Sequence, residues 1–364
     1  MAPQDLLLEV FCLVDDELQA LQLGRLRQRG PQPALADSEV LTIELVGEFW
    51  KLGTDRDLFR HFRRYHTAEF PALASLDRTT FTRQAANLWH VKQLLQERLA
   101  RRLAGDDRLW LVDSLPIDAC QFARATFCRR FAGQADYGYC HLRKRTFYGF
   151  RLHLRTSRDG IVLGYQLAPA RASEKAVLPE LGLLAGSVGI GDRNYWSPEL
   201  RGRLAAGGVA LLAPYYRKSK DPDRERSAQL SAVRYRIETS NGQLAERYGI
   251  KRTWAKDLWH LCHRIIRKIL SHTALALITF RAGHQPLQLD ALRGREDFQK
   301  LVTALEGKHE TEEVPAQTGT KASKQSGRWV LTAKQAPHRP GTAPALGLRA
   351  GIGRRRHYNA DRML

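Results

Sequence analysis

Between Leu6 and about Leu103 the apolar residues recur at helical spacing with little strict alternation, so this stretch is expected to be helical. Asp37-Ser38 forms an N-cap pair ahead of the run from Glu39 to Trp50, and Ser75 to Arg78 separates a second helical group spanning Thr79 through Arg102. The punctuation is that of a small helical bundle. After Gly105-Asp106-Asp107 the period changes to that of strands. Leu109-Trp110-Leu111-Val112 is a short apolar run that ends in Asp113. From Arg145 to Thr156 the chain alternates, with Tyr148, Phe150, Leu152 and Leu154 on one face and Arg151, His153 and Arg155 on the other, the pattern of a half-buried strand. Ser157-Arg158-Asp159-Gly160 supplies turn chemistry and Ile161 to Leu167 returns, which predicts an antiparallel hairpin. Ser173 caps a helix expected to run through Leu184. A further apolar run leads into Gly191-Asp192, and Gly207-Gly208 precedes a short strand, Val209 to Ala213, closed by Pro214.

The order is strand, two-stranded hairpin, helix, strand, helix, strand, helix. An α/β architecture follows, a mixed sheet flanked by helices and preceded by an all-helical N-terminal domain. This is the ribonuclease H-like order of elements, by fold-level analogy. The expected domains are residues 1–105, helical and a candidate for DNA binding; residues 106–292, catalytic; and residues 293–364, a tail. From Gly307 to Leu364 the chain is rich in Gly, Pro, Thr, Gln and basic residues, the composition of a disordered basic tail.

Three acids stand where their segments hold them in a fixed direction. Asp113 and Asp192 follow strand-like apolar runs, and Glu238 flanks the helical stripe of Leu230, Val233, Ile237, Leu244 and Tyr248. Three such carboxylates suit a pair of divalent cations, which catalyse in-line phosphodiester displacement when ~3.5–4 Å apart. Each acid also has a plainer reading. Arg234 lies one turn before Glu238, so the two could form an ordinary surface ion pair, or the guanidinium could meet a phosphate beside the carboxylate. Asp118 and Asp136 rival Asp113, but only Asp113 ends the apolar run directly. Asp192 is alternatively a helix N-cap; the next helix is expected to start nearer Ser197-Pro198, and Gly191 and Asn194 permit a tight left-handed backbone around it.

Charge selects the partner. With 58 Lys and Arg against 38 Asp and Glu, the net charge is +20 and the pI about 10.1, which favours a polyanion, nucleic acid first. Arg56, Arg60, Arg63, Arg64, Arg78 and Arg83, with His61 and His66, cluster in the helical region, either as a helix presented to DNA or as a solvated basic face. Arg217, Lys218 and Lys220 follow Tyr215 and Tyr216 in a charged loop from Tyr215 to Arg226, combining phosphate neutralisation with base stacking, or simply facing water. Thr273 to Phe280 is the longest apolar stretch, well short of the ~20 residues of a membrane-spanning helix, and the N-terminus lacks the pattern of an export signal. A cytoplasmic protein with no membrane partner is expected. Five cysteines at irregular spacing fit reduced thiols; Cys120, Cys128, Cys140 and His141 are the alternative zinc set, with gaps of seven and eleven residues unlike paired ligands.

The words Leu111-Val112-Asp113-Ser114-Leu115-Pro116-Ile117, Ala135-Asp136-Tyr137-Gly138-Tyr139-Cys140, the segment Phe147 to Leu154, Gly191-Asp192-Arg193-Asn194-Tyr195 and Arg236-Ile237-Glu238-Thr239 together resemble bacterial insertion-sequence transposases of the DDE type, most closely insertion sequence family 982. The resemblance extends over roughly residues 6–292. It implies a ribonuclease H-like catalytic domain in which Asp113, Asp192 and Glu238 hold two Mg²⁺ (or Mn²⁺) ions, cut at terminal inverted repeats and join the ends to target DNA. It also implies double-stranded DNA as partner, a homodimer or higher oligomer on that DNA, and a place on the bacterial nucleoid. Arg151 and His153, where related transposases often carry Lys and His, are then expected near the metals, with a plain polar-face strand residue as the alternative for His153. Asn194 stands where the family commonly has glycine, and the family's tyrosine-arginine-glutamate-lysine helix signature is met only in part, by Arg234 and Glu238. A DNA-binding remnant without catalysis and a hydrolytic nuclease of the same fold are the competing readings.

Overall fold

In the computed structural model, which describes residues 1–24, 32–105, 108–140 and 143–292, the second helix is buried on almost every side. Five helices open the chain: α1 (Pro3–Leu21), α2 (Asp37–Phe49), α3 (Asp55–Tyr65), α4 (Arg78–Asn87) and α5 (Trp89–Ala104). Local chemistry sets their ends. Thr54 caps α3 by accepting from the Asp57 backbone N–H at 3.1 Å, and Pro71 opens the short 3-10 turn that follows. The five helices do not close upon themselves. Helix α10 (Leu258–Arg281), 24 residues long and buried along most of its length, packs against α2 and α5. One core joins these helices to the sheet, with Leu41, Phe62, Leu95, Leu152, Leu167 and Ile269 among its members. Among the described residues no helix is long and apolar enough to cross a membrane.

Among the described residues the strands are β1 (Leu109–Asp118), β2 (Asp136–Cys140), β3 (Arg145–Ser157), β4 (Val162–Pro169), β5 (Val188–Ile190) and β6 (Ala210–Leu212). β3 is antiparallel to β1 on one side, and shares its other side between β2 and β4. β1, β5 and β6 run parallel, so the sheet is mixed, with β5 between β1 and β6. The hairpin expected around Ser157 to Gly160 forms: the Gly160 N–H donates to the Ser157 carbonyl at 3.0 Å, and Gly160 has φ +87°, a left-handed conformation that suits glycine. Ser240 Oγ donates to the Gly160 carbonyl at 2.6 Å, pinning the hairpin tip to the late helical region.

Several elements depart from the reading of periodicity alone. β3 is not half-buried: His153, Arg155 and Thr156 are covered along with Leu152 and Leu154, because helices lie on both faces of the sheet. The helix expected from Ser173 to Leu184 stops after one turn, α6 (Glu174–Val177), and continues as a 3-10 turn from Leu178 to Leu181 around Pro179, which has no N–H to give. The helix bearing Glu238 is divided at Arg234 into α8 (Arg224–Val233) and α9 (Tyr235–Gly242), and a π-helical turn, Gln243–Arg247, follows. Its apolar stripe still packs inward, Leu230, Ile237, Leu244 and Tyr248 all being buried. β2 was not foreseen; Asp-Tyr-Gly-Tyr-Cys is short and glycine-containing, and only pairing with β3 makes it a strand. Helix α7 (Pro198–Ala206) starts at its expected cap, Ser197, whose Oγ accepts from the Leu200 N–H. The expected tail lies outside the described residues.

Candidate active site

β5 accompanies β1 only over Leu109, Leu111 and the residue between, opposite Val188 to Ile190, and then ends. β1 runs on to Asp118, so from Val112 its edge on that side is left open by β5. Crevices of this kind, beyond the carboxyl ends of parallel strands, are where α/β sheets bind ligands. Asp113 lies at the start of the open edge, and Asp192 is reached two residues after β5 ends. The Asp192 carboxylate accepts from the Asn194 backbone N–H at 2.9 Å and from Asn194 Nδ2 at 3.1 Å, capping a 3-10 turn from Arg193 to Tyr195. The N-cap role is therefore present, on this short turn as well as at Ser197 for α7. Gly191 and Asn194 do not take the left-handed backbone expected of them. Glycine at 191 instead allows close packing, since a Cβ there would stand 2.7 Å from the Tyr195 ring.

Helix α9 and the residue before it approach Asp113. Asn241 Nδ2 donates to Asp113 Oδ2 at 2.8 Å, and Arg234 Nη2 lies 3.9 Å from Asp113 Oδ1. Glu238 falls between them on the same side of the helix, one turn after Arg234 and one before Asn241, with its side chain exposed and free of ion pairs among the described residues. The expected Arg234–Glu238 pair is replaced by Arg234–Asp113. Glu238 thus shares a helix face with two residues that reach Asp113, while its own side chain stays at the surface.

The charges are poorly matched. Burial pushes the Asp113 carboxyl up to about 6, Arg234 pulls the other way, and the Asp192 and Glu174 charges add to the rise. Asp192 is also raised, by burial and then by Glu174, with Arg234 again opposing. The Tyr195 hydroxyl is held far above its ordinary range by burial and by the negative charge of Glu174, Asp113 and Asp192. Three acids therefore act on one another across this edge, and the third is Glu174.

Glu174 opens α6 on the opposite face of the sheet. Ser114 Oγ donates to Glu174 Oε1 at 2.6 Å, and Arg151 Nη1 reaches the same oxygen at 3.2 Å. Arg151 also donates to Ser114 Oγ and to the Tyr139 carbonyl, so it is committed within the fold. His153, opposite Ser114 in the β1–β3 register, is fully buried and kept neutral, its pKa lowered to about 3 by burial and by Arg151. It has no route to the surface, where a phosphate would meet it. Arg217, Lys218 and Lys220 are exposed around a short turn whose start is tethered to the site: Arg193 Nη1 donates to the Tyr215 carbonyl at 2.5 Å and Trp196 packs on the Tyr215 ring. Among the other basic candidates, the arginines of α3 and α4 are exposed, but His66 is buried and His61, pushed down to about 4, joins it against Trp50 and Phe62.

Periodicity missed Glu174, Tyr195 and Asn241. Glu174 sits in an ordinary helix-start context, Tyr195 reads as core, and Asn241 gains meaning only from the side of α9 it occupies. Several buried polar atoms here have no partner among the described residues: Asn241 Oδ1, Arg234 Nε, the Tyr195 hydroxyl and both His153 ring nitrogens. Buried polar groups are normally satisfied, so these unpartnered atoms are open to a further group. Carboxylate and amide oxygens are hard donors, of the kind Mg²⁺ and Mn²⁺ take. Among the described residues no three His, Cys, Asp or Glu side chains gather closely enough to hold a metal unaided. Mg²⁺ commonly takes only one or two carboxylates and completes its shell with water and substrate phosphate, so the residues fit. The cysteines at 120, 128 and 140 are free thiols; His141 lies outside the described residues.

The chain matches no curated protein and no solved structure. The family model of the transposase DDE domain matches residues 104–257, a span that begins just before β1 and includes Asp113, Asp192 and Glu238. That match supports a DDE-type transposase with a ribonuclease H-like fold in this part of the chain.

Proposed function

We propose that the protein is a DNA transposase that cuts at the terminal inverted repeats of an insertion sequence and joins the 3′-hydroxyl ends to target DNA, with Asp113, Asp192 and Glu238 as its working acids. The observation that carries the reading is that Asp113 on β1 and Asp192 just past β5 follow the two parallel strands where the sheet edge opens, inside the span matched by the transposase DDE domain. Divalent Mg²⁺ or Mn²⁺ bound there would activate the attacking oxygen and stabilise the leaving oxygen of an in-line displacement. Asp113 is the central holder, directed by Asn241 and Arg234. Asp192 is oriented by its own turn. Glu238, exposed on the helical face that carries Arg234 and Asn241, is the third acid of the set. Arg234, 3.9 Å from Asp113, would take a scissile phosphate held beside that carboxylate. Arg217, Lys218 and Lys220 carry the flanking duplex, a sequence-independent role for exposed basic side chains. Assembly as a homodimer or higher oligomer on double-stranded DNA, the insertion sequence family 982 assignment and a nucleoid location belong to the same reading.

The test is incubation of the purified protein with labelled element ends, target plasmid and Mg²⁺. Metal-dependent joined products that vanish with Asp192→Asn are expected. Binding without cutting would mark a DNA-binding remnant, and cutting without joining a nuclease; either result displaces the transposase.

A further inference from the structure

Glu174 lies outside the three acids just proposed and has no role in that set. Its surroundings mark it as more than a helix-start carboxylate. β1 alternates its side chains across the sheet: Leu111 packs with Ile237 on the α9 face, while Trp110 and Val112 pack with Leu178 and Tyr195 on the other. Asp113 accordingly meets Asn241 and Arg234, and its neighbour Ser114 meets Glu174. Normally a sheet separates its two faces. Here β5 ends opposite Leu111, so nothing from β5 stands beside β1 at Asp113 and Ser114, and groups from both faces can meet at the rim where Asp192 emerges.

We propose that Glu174 is a further metal-holding carboxylate of this site, entering from the face of the sheet opposite to Asp113. The inference rests on reading the crevice as a divalent-metal centre. Two hydrogen bonds hold one oxygen, Oε1, through Ser114 and Arg151, and Arg151 is in turn fixed by the Tyr139 carbonyl. Among the described residues the other oxygen of the carboxylate has no hydrogen-bond partner, which leaves it for a ligand. An independent sign is the Tyr195 hydroxyl, 1% exposed, on a ring packed with Val112 and Leu178 on the Glu174 face of the sheet, and without a hydrogen-bond partner among the described residues. The His153 ring, 0% exposed and opposite Ser114 in register, is likewise unpartnered at both nitrogens. A buried hydroxyl donor left idle on this face suits a site whose remaining oxygens belong to water on a cation. Glu174 thus supplies negative charge from the second face, and Ser114 and Arg151 are its positioning residues.

Mn²⁺ titration of the full chain, read by the paramagnetic signal of the free ion and independent of any DNA reaction, tests this. Glu174→Gln is expected to weaken Mn²⁺ binding at least about tenfold, the scale seen when groups around a metal are lost. Glu174→Asp should recover part of that affinity, and Glu199→Gln, an exposed acid on α7, should bind as the wild type does. Equal thermal midpoints for these proteins exclude loss of fold as the cause. If Glu174→Gln binds Mn²⁺ as the wild type does while Asp192→Asn does not, Glu174 is only a brace for Arg151 and this inference alone falls. If the wild type and both variants bind alike, the metal-centre reading of Asp192 falls with it.

Discussion

Glu44, Glu48 and Asp55 in the helical core and Asp113, Asp192 and Glu174 at the sheet edge are two groups of three acids withdrawn from water, and they are treated in opposite ways. In the helical core Arg267 bonds Glu48 Oε1 at 2.6 Å, Asp55 Oδ1 at 2.8 Å and Glu44 Oε1 at 3.2 Å. Lys268 bonds Glu48 at 2.5 Å, and Lys92 pairs with Glu44 in the same interior. Arg264 adds a second cation to Asp55. The result is that Asp55 is held well below the usual carboxylate range despite its burial, by Arg267 and Arg264. At the sheet edge, among the described residues, the cation that opposes the rise of Asp113 is Arg234, at 3.9 Å, and Asp113 rises instead of falling. Compensated charge ties elements together, here α2, α3, α5 and α10. Uncompensated charge is costly to the fold and is the natural seat of a cation.

Breaking the matched cluster should have the largest effect. Arg267→Met leaves Glu44, Glu48 and Asp55 without their shared partner, and a loss of about 3–5 kcal/mol in urea unfolding is expected. Asp113→Asn should do the reverse and raise stability in metal-free buffer, since it removes a charge the fold disfavours. A loss of stability there as large as that of Arg267→Met would erase the contrast between the clusters.

Acidity should separate them next. Asp113 has a folded pKa above its unfolded one, so its ionised form weakens the fold above about pH 6, and that penalty fades as pH falls toward the ordinary carboxylate range. Asp55, depressed, contributes stability that is present above the ordinary range and is lost as pH falls below it. A cation at the sheet edge needs Asp113 ionised, so the rise in thermal midpoint with Mg²⁺ should be clear at pH 7.5 and largely gone at pH 5. A midpoint shift independent of pH would place the ion elsewhere.

The smallest effect concerns the exposed loop. Lys218→Ala with Lys220→Ala should weaken duplex binding severalfold and lower the salt dependence by about two ion equivalents, with thermal stability unchanged. Fluorescence anisotropy across a salt series measures this; an unaltered slope would remove these lysines from the DNA path.

Much of the sheet half was legible because its signals are local. The apolar run ending at Asp113, the Ser157–Gly160 turn and the Ser197-Pro198 helix start all have short-range causes, and all appear. Local pattern misjudged the polar face of β3, because His153 and Arg155 are polar by type yet buried, and Arg151 partly so, under elements distant in sequence. It also treated the N-terminal helices without α10, whose basic residues Arg267 and Lys268 answer acids more than 200 positions earlier. An isolated Glu44 or Lys92 in a helical pattern looks like a surface charge; only its partner's location makes it core.

From its residues alone this chain specifies the order of helices and strands, a strongly basic balance, and aspartates placed at strand ends, because those follow from period, turn chemistry and charge within a few positions. Which acids act on one another is a different matter. That depends on β5 ending three residues into its pairing with β1, on α9 turning Arg234 and Asn241 toward Asp113, and on Ser114 meeting Glu174 across the sheet. Electrostatic coupling varies with distance through space and with burial, and neither is written in sequence separation.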